Sequence, residues 1–309
     1  MQITPTEVRS IIGKHLLTDG MEQVIDLEKS HGSWLVDARD GREYLDMYSM
    51  FASMPIGFNH HYVMENKDRI TTAAINKISN PDIYSVQQAE FVDTVGRIAQ
   101  PGYLPYAFYI EGGTLAVENA LKGAFDWKVR KNLTAGKGEK GSQVIHFKEC
   151  FHGRSGYTLS LTDSPDPRKT MYFPKFDWPR ITNPKLSFPV DEQAAEKSEQ
   201  QSIREIKDAI HANPDDIAAM IIEPIQGEGG DNHFRTEFFE ALRTIADESD
   251  IMFIYDEVQS GVGITGKMWA HEHFGENGRP DIISFGKKTQ VCGIFVSKRV
   301  EEVEGHVFV

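Results

Sequence analysis

From residue 104 onward, apolar runs of strand length alternate with stretches of helical periodicity, and this alternation restricts the fold more than any other feature. Residues 106–110, 143–147, 217–222, 251–255 and 281–285 read as strands, and 116–130, 203–213 and 237–248 as helices. Several of the strand runs are apolar throughout rather than at every second position. Both of their faces must then be covered, which predicts an α/β fold with a mostly parallel sheet between helical layers. Loops rich in Gly, Lys, Pro and Asp fall at 134–141 and 163–175. Ahead of this region, 4–17 reads as a short amphipathic helix opened by Thr4 and Pro5, and 33–48 as a hairpin turning at Asp40-Gly41. Residues 87–99 read as a further helix. The predicted organisation is therefore a small N-terminal α+β segment over 1–85 and a large domain over 86–309. The chain closes on the apolar run Gly305-His306-Val307-Phe308-Val309, where polar residues are usual. That end predicts a C-terminal domain lying beyond residue 309.

Composition narrows the partners. With 33 Lys and Arg against 46 Asp and Glu, the net charge is −13, the wrong sign for tracking a phosphate backbone. No apolar run approaches the ~18 residues of a membrane span, and MQITPTEVRS lacks the basic-then-apolar order of a secretory leader. Cys150 and Cys292 are too far apart for metal-ligand spacing, so free thiols in a reducing, cytoplasmic setting are expected.

In sheets of this kind, ligands bind beyond the carboxyl ends of the strands. Four strand–helix junctions carry suitable residues. Glu111-Gly112-Gly113-Thr114 offers glycines, a hydroxyl and the N–H groups of a helix start, which together make an anion seat. Phe151-His152-Gly153-Arg154 offers a ring to stack on a planar ligand and a guanidinium fork for a carboxylate. Asp256-Glu257-Val258-Gln259 ends a buried strand on a carboxylate, which is costly unless it is paired with a group such as a pyridinium N–H. Ser284-Phe285-Gly286-Lys287-Lys288 places an amine where burial lowers its pKa and readies it to condense with an aldehyde. Of the two lysines, Lys287, which directly follows Gly286, is the one assigned. Taken singly, each junction has an ordinary reading: a tight turn, a buried Phe beside a surface Arg, a capping Asp, a solvated lysine pair. Taken together they supply a phosphate seat (Gly113, Thr114), a stacking ring (Phe151), ring partners (Asp256, Gln259) and a linking amine (Lys287). That set fits pyridoxal 5′-phosphate.

These residues resemble the class III (omega) aminotransferases of pyridoxal-phosphate fold type I, and the resemblance runs along essentially the whole chain. It is carried by FYIEGGTLAVENALKGAFDWK, FHGRSGYTLSLT, IIEPIQGEGGDNHFR, DEVQSGVGITGKMWA and SFGKKTQVCG. Within the class, the run Lys287-Lys288-Thr289-Gln290-Val291-Cys292-Gly293 is similar to the branch that acts on the terminal amine of lysine. The resemblance implies transfer of the ε-amino group of L-lysine to 2-oxoglutarate by a homodimer. It implies that Arg154 holds the α-carboxylate of lysine, and that Glu228 is a gate pairing with an arginine beyond residue 309. It also implies that Glu223 lies near the cofactor, and that a threonine beyond residue 309 reaches the neighbouring subunit's phosphate. Other readings are an omega-aminotransferase for ornithine, 4-aminobutyrate or a diamine, a pyridoxal-phosphate-binding regulator, and a truncated cofactor-binding fragment without full activity. A basic DNA-binding helix pair, which the regulator would need, is absent from the sequence.

Overall fold

A computed structural model describes residues 3–76 and 83–305; the last four residues of the closing apolar run lie outside them. The chain divides into two compact units, Met1–Asp93 and Thr94–Val309.

In the first unit, a 3-10 turn (Pro5–Glu7) leads into α1 (Val8–Ile12). The helix is shorter than the periodicity of 4–17 predicts, because it closes at Gly13, whose N–H bonds to the Arg9 carbonyl at 2.9 Å. The hairpin forms as expected: β1 (Trp34–Val36) pairs antiparallel with β2 (Glu43–Leu45), Trp34 opposite Leu45. A single turn, α2 (Ser49–Ala52), follows with all four residues at positive φ between 42° and 60°, and then come α3 (His61–Glu65) and α4 (Lys67–Ile75). The boundary between the units falls within α5 (Val86–Ile98).

The second unit carries β3 (Tyr106–Ile110), α6 (Gly113–Thr134), β4 (Gln143–Phe147), α7 (Gly156–Leu161), β5 (Arg180–Ile181) and α8 (Glu192–Ala212). It continues through β6 (Ile217–Ile222), α9 (Thr236–Glu248), β7 (Met252–Asp256), β8 (Ile282–Phe285) and β9 (Cys292–Val296). Among the described residues these strands form one seven-stranded sheet in the order β3-β9-β8-β7-β6-β4-β5. Every neighbouring pair is parallel except those made by β9, which runs antiparallel to both β3 and β8. The strand β9 is not legible in the sequence, since Gly293 interrupts its short apolar run.

The two-sided burial expected of continuous apolar strands is visible along β7. Phe253 and Tyr255 enter one core with Phe147, Phe238, Phe239 and Trp269, whereas Met252 and Ile254 enter the other with Val117, Leu121 and Trp127. α9 covers the first face through Phe238, Phe239 and Leu242. α6 covers the second through a stripe that includes Ala116, Ala120 and Ala124, small enough to let the helix lie close to the strands. α8 begins well before the expected residue 203, because its first half is too polar for an apolar period to mark it. Its start is set instead by Asp191, whose side chain accepts the N–H of Ala194 at 3.0 Å. Replacing Asp191 with Ala leaves that donor unpaired. Asp191→Ala is expected to lower stability by about 1 kcal/mol in urea titrations, without affecting chemistry elsewhere in the chain.

Candidate active site

Because β4, β6, β7 and β8 are mutually parallel, their carboxyl ends share one edge of the sheet. Residues 148–154, 223–228, 256–259 and 286–290 follow directly from those ends, and β3, which runs the same way, delivers 111–114 to the same edge.

Close approaches tie the junctions to one another. Gly113, the first residue of α6, lies so near Val258 that a Cβ there would come within 2.8 Å of its Cγ1. Gly153, at φ 126°, lies against Thr114, and a side chain would meet the Thr114 hydroxyl at 2.3 Å. The candidate anion seat at the start of α6 is thus walled by the residues after β4 and β7. Its own N-cap, Gly112, leaves the first N–H groups of a 22-residue helix free of side-chain caps.

Asp256 is buried at the end of β7, and both of its oxygens are held. Oδ2 lies 2.8 Å from Nδ1 of His152, and Oδ1 accepts from Ser284 Oγ at 3.0 Å and from the Val258 N–H at 3.1 Å. His152 is itself buried, with its N–H on Thr162 Oγ1 at 3.0 Å and its Nε2 without a hydrogen-bond partner. This histidine and Ser284 were not singled out from sequence, although His152 sits inside the Phe151–Arg154 junction and Ser284 just ahead of Gly286.

Lys287 is half-buried, with Nζ donating to Gln259 Oε1 at 2.8 Å. Its φ of 52° puts it in the left-handed region, a strained position for a side-chain-bearing residue and one often found at working sites. Burial pushes its amine below the usual lysine value, opposed by the charges of Asp256, Glu223 and Glu228. Lys288, expected to be solvated if the pair were ordinary, is buried as well, and its Nζ donates to the Gln259 carbonyl at 2.7 Å.

Glu223 is buried, and its Oε1 accepts the Phe151 N–H at 2.7 Å. Burial first, and the neighbouring Asp256 charge second, raise its carboxyl well above the ordinary carboxylate value. Phe151 is partly buried, and the exposed Arg154 guanidinium lies 6.0 Å from the Phe151 ring centroid. Among the described residues that guanidinium has no carboxylate partner. Glu228 is not left unpaired: it forms an ion pair with Lys169, on the 3-10 turn Pro167–Lys169. The resemblance instead implies a counter-charge for Glu228 on an arginine beyond residue 309.

A mostly parallel sheet that brings an uncapped helix start, a fixed carboxylate and a partly buried amine to one edge has the α/β architecture of pyridoxal-phosphate fold type I, and the donor set fits that cofactor. Residues 18–304 match the family Aminotransferase class-III, and the chain belongs to it. It is 49% identical over 309 residues to the L-lysine-epsilon aminotransferase of Mycobacterium tuberculosis, an alignment covering 99% of this chain and 68% of that protein. It is 47% identical over 307 residues to the L-lysine-epsilon aminotransferase of Streptomyces clavuligerus, covering 98% of this chain and 66% of that one. It superposes with a TM-score of 0.96 on the solved lysine aminotransferase from M. tuberculosis in the internal aldimine form, at 49% identity, covering 99% of this chain and 71% of that one. Among the described residues no helix is long and apolar enough to cross a membrane.

The state of Glu223 has a consequence for stability. A group whose pKa is raised in the folded protein stabilises it below the unfolded value, near the usual carboxylate range, and that contribution is lost as pH rises toward the folded value. Glu223→Gln mimics the neutral acid. Its melting temperature relative to the parent should therefore be higher at pH 8 than at pH 5; an equal difference at both would show that Glu223 is ionised in the fold.

Proposed function

We propose that the protein is a pyridoxal-phosphate-dependent aminotransferase that moves the ε-amino group of L-lysine to 2-oxoglutarate, giving 2-aminoadipate 6-semialdehyde and L-glutamate. The observation that carries the reading is the meeting of Lys287, Gln259 and the Asp256–His152 pair on one sheet edge, in a chain so similar throughout to lysine ε-aminotransferases.

When bound, pyridoxal phosphate supplies an aldehyde that takes up amines and a protonated ring that delocalises the electron pair left when a neighbouring carbon loses its proton. The chain's residues supply the rest. Gly113, Thr114 and the N-terminus of α6 seat the phosphate. Phe151 would cover one face of the ring and exclude water from it. Asp256, held by His152 and Ser284, would keep the proton on the ring nitrogen. Gln259 accepts from Lys287 Nζ and would be the partner of the ring's phenolic oxygen. Lys287 would hold the cofactor through its amine and would serve as the base for the proton on the ε-carbon of lysine, a role worth about 10²–10⁴ in rate for a positioned base. Burial lowers the pKa of this amine, which favours its neutral form. Arg154 binds the α-carboxylate of lysine as a guanidinium fork, and Glu228 faces the donor while Lys169 balances its charge. The working form is a homodimer, a reading supported by the exposed apolar side chains Tyr172, Phe173 and Phe176 on one short stretch of loop.

An absorption spectrum with pyridoxal phosphate, followed by addition of L-lysine, tests the function directly. Lys287→Ala should abolish both the band of the lysine-linked cofactor and all transamination. A variant that keeps the band and turns over would remove Lys287 from its role. The second experiment concerns the substrate's carboxylate. Arg154→Ala should raise KM for L-lysine roughly ten- to a hundredfold, as expected for losing a charge-assisted contact of about 1.5–3 kcal/mol. Cadaverine, which has no carboxylate, should be little affected, and equal losses on both amines would make Arg154 structural.

A further inference from the structure

Lys288 takes no part in the reaction outlined above, yet it is the more deeply buried of the two adjacent lysines, at 8% exposure. An ammonium withdrawn from water costs free energy unless its surroundings compensate, and a lysine with no role would turn outward. In a 3-10 turn such as Lys287–Thr289, successive side chains leave the axis about 120° apart, so neighbouring lysines ordinarily diverge. Here they converge on one residue. Lys288 Nζ donates to the Gln259 main-chain carbonyl at 2.7 Å, and Lys287 Nζ donates to the Gln259 side-chain oxygen at 2.8 Å. The left-handed backbone at Lys287 accompanies this convergence, and Gln290, also left-handed at φ 57°, closes the turn with its N–H on the Lys287 carbonyl at 3.1 Å.

We infer that Lys288 is a positioning residue for Lys287: it fixes Gln259, through which Lys287 Nζ is oriented, and its ammonium contributes to the field in which Lys287 exchanges its proton. This rests on the reading of Lys287 as the cofactor-linking amine.

The charged groups around the pair are few and named. Lys287 and Glu257 act on Lys288, and Asp256, Glu223 and Glu228 act on Lys287. Glu257 is not an ion-pair partner of Lys288. Its carboxylate is occupied by Ser260 Oγ, the N–H groups of Ala270 and His271, and His271 Nδ1. Burial first and the Lys287 charge second push Lys288 down to about 8. Its charge is therefore present in neutral solution and lost as pH rises past that value.

The test uses the full chain loaded with pyridoxal phosphate, as the parent protein and as Lys288→Gln, Lys288→Met and Lys288→Arg. The pH midpoint of the bound cofactor's absorption change is read, together with the single-turnover rate with L-lysine and the melting temperature. Removing a nearby positive charge favours the protonated form at Lys287, so Gln and Met should raise the midpoint by about one unit. Met, which also frees the Gln259 carbonyl, should slow the single turnover by about tenfold. Gln keeps a donor and should slow it less, and Arg, which keeps both charge and donor, should restore both readings. If Met does not fold, Gln against Arg still decides through the midpoint. Unchanged midpoints in Gln and Met, with only the melting temperature altered, would overturn the inference. Loss of the cofactor band in the Lys288 variants with its retention in Lys287→Ala would overturn it together with the assignment of Lys287. A shifted midpoint in a protein that gives no spectral response to L-lysine would support the positioning role while removing the substrate reading.

Discussion

A carboxylate at the end of a central strand is the constraint around which the site is organised. Taken from water alone, the Asp256 side chain would cost several kcal/mol, so the surrounding chain has to supply its hydrogen bonds. They come from separate parts of the sequence: His152 after β4, Val258 beyond β7, and Ser284 within β8. Satisfying one side chain thus fixes several connections relative to one another. It also acts on a neighbouring group. Burial first, and the neighbouring Asp256 charge second, raise the carboxyl of Glu223 well above the ordinary carboxylate value. Two carboxyls of similar chemistry thus have different partners: Asp256 faces His152, Ser284 and the Val258 N–H, and Glu223 receives the backbone N–H of Phe151.

The same logic extends outward from the buried centre. Glu228 is only partly exposed and lies close enough to influence Lys287, so its charge would be felt in the site if nothing balanced it. Lys169 balances it from the loop between α7 and β5, a stretch with little regular structure. The charge pattern of the site is therefore graded. The innermost groups are fixed by the sheet, and the outer pair joins two loops that can rearrange at lower cost.

Much of this was legible in the sequence because one rule connects pattern to place. Continuous apolar runs can only be inner strands of a covered sheet, and the ends of parallel strands must share an edge. Glu111–Thr114, Phe151–Arg154, Asp256–Gln259 and Gly286–Lys288 are all strand exits, so the pattern alone places these distant residues along one edge. Features held by single interactions were not legible. The start of α8 depends on one capping aspartate ahead of a polar stretch, the end of α1 on one glycine, and β9 hides behind Gly293. The partners of Asp256 and Glu228 were missed for a related reason. His152 and Lys169 have no distinguishing neighbours in sequence, and only the folded chain reveals what each of them faces. The burial of Lys288 belongs with these, since two adjacent lysines ordinarily signal solvent.

The reversed direction of β9 bears on how the site amine is held. A parallel neighbour to β8 would have required a long crossover, with Lys287 riding on its first residues. Because β9 is antiparallel, β8 returns directly through residues 286–291, with Phe285 opposite Gly293 where the two strands separate. The lysine sits on a hairpin whose arms are both inner strands of the sheet. Its tether is therefore short and pinned at each end, and the volume its amine can sweep is small. If Lys287 is the linking amine proposed above, confinement of this kind would act as a very high effective concentration beside a group held at the start of α6, and repeated encounters would cost little further loss of entropy. Residues added to this hairpin would dilute the amine even if every side chain around it stayed the same.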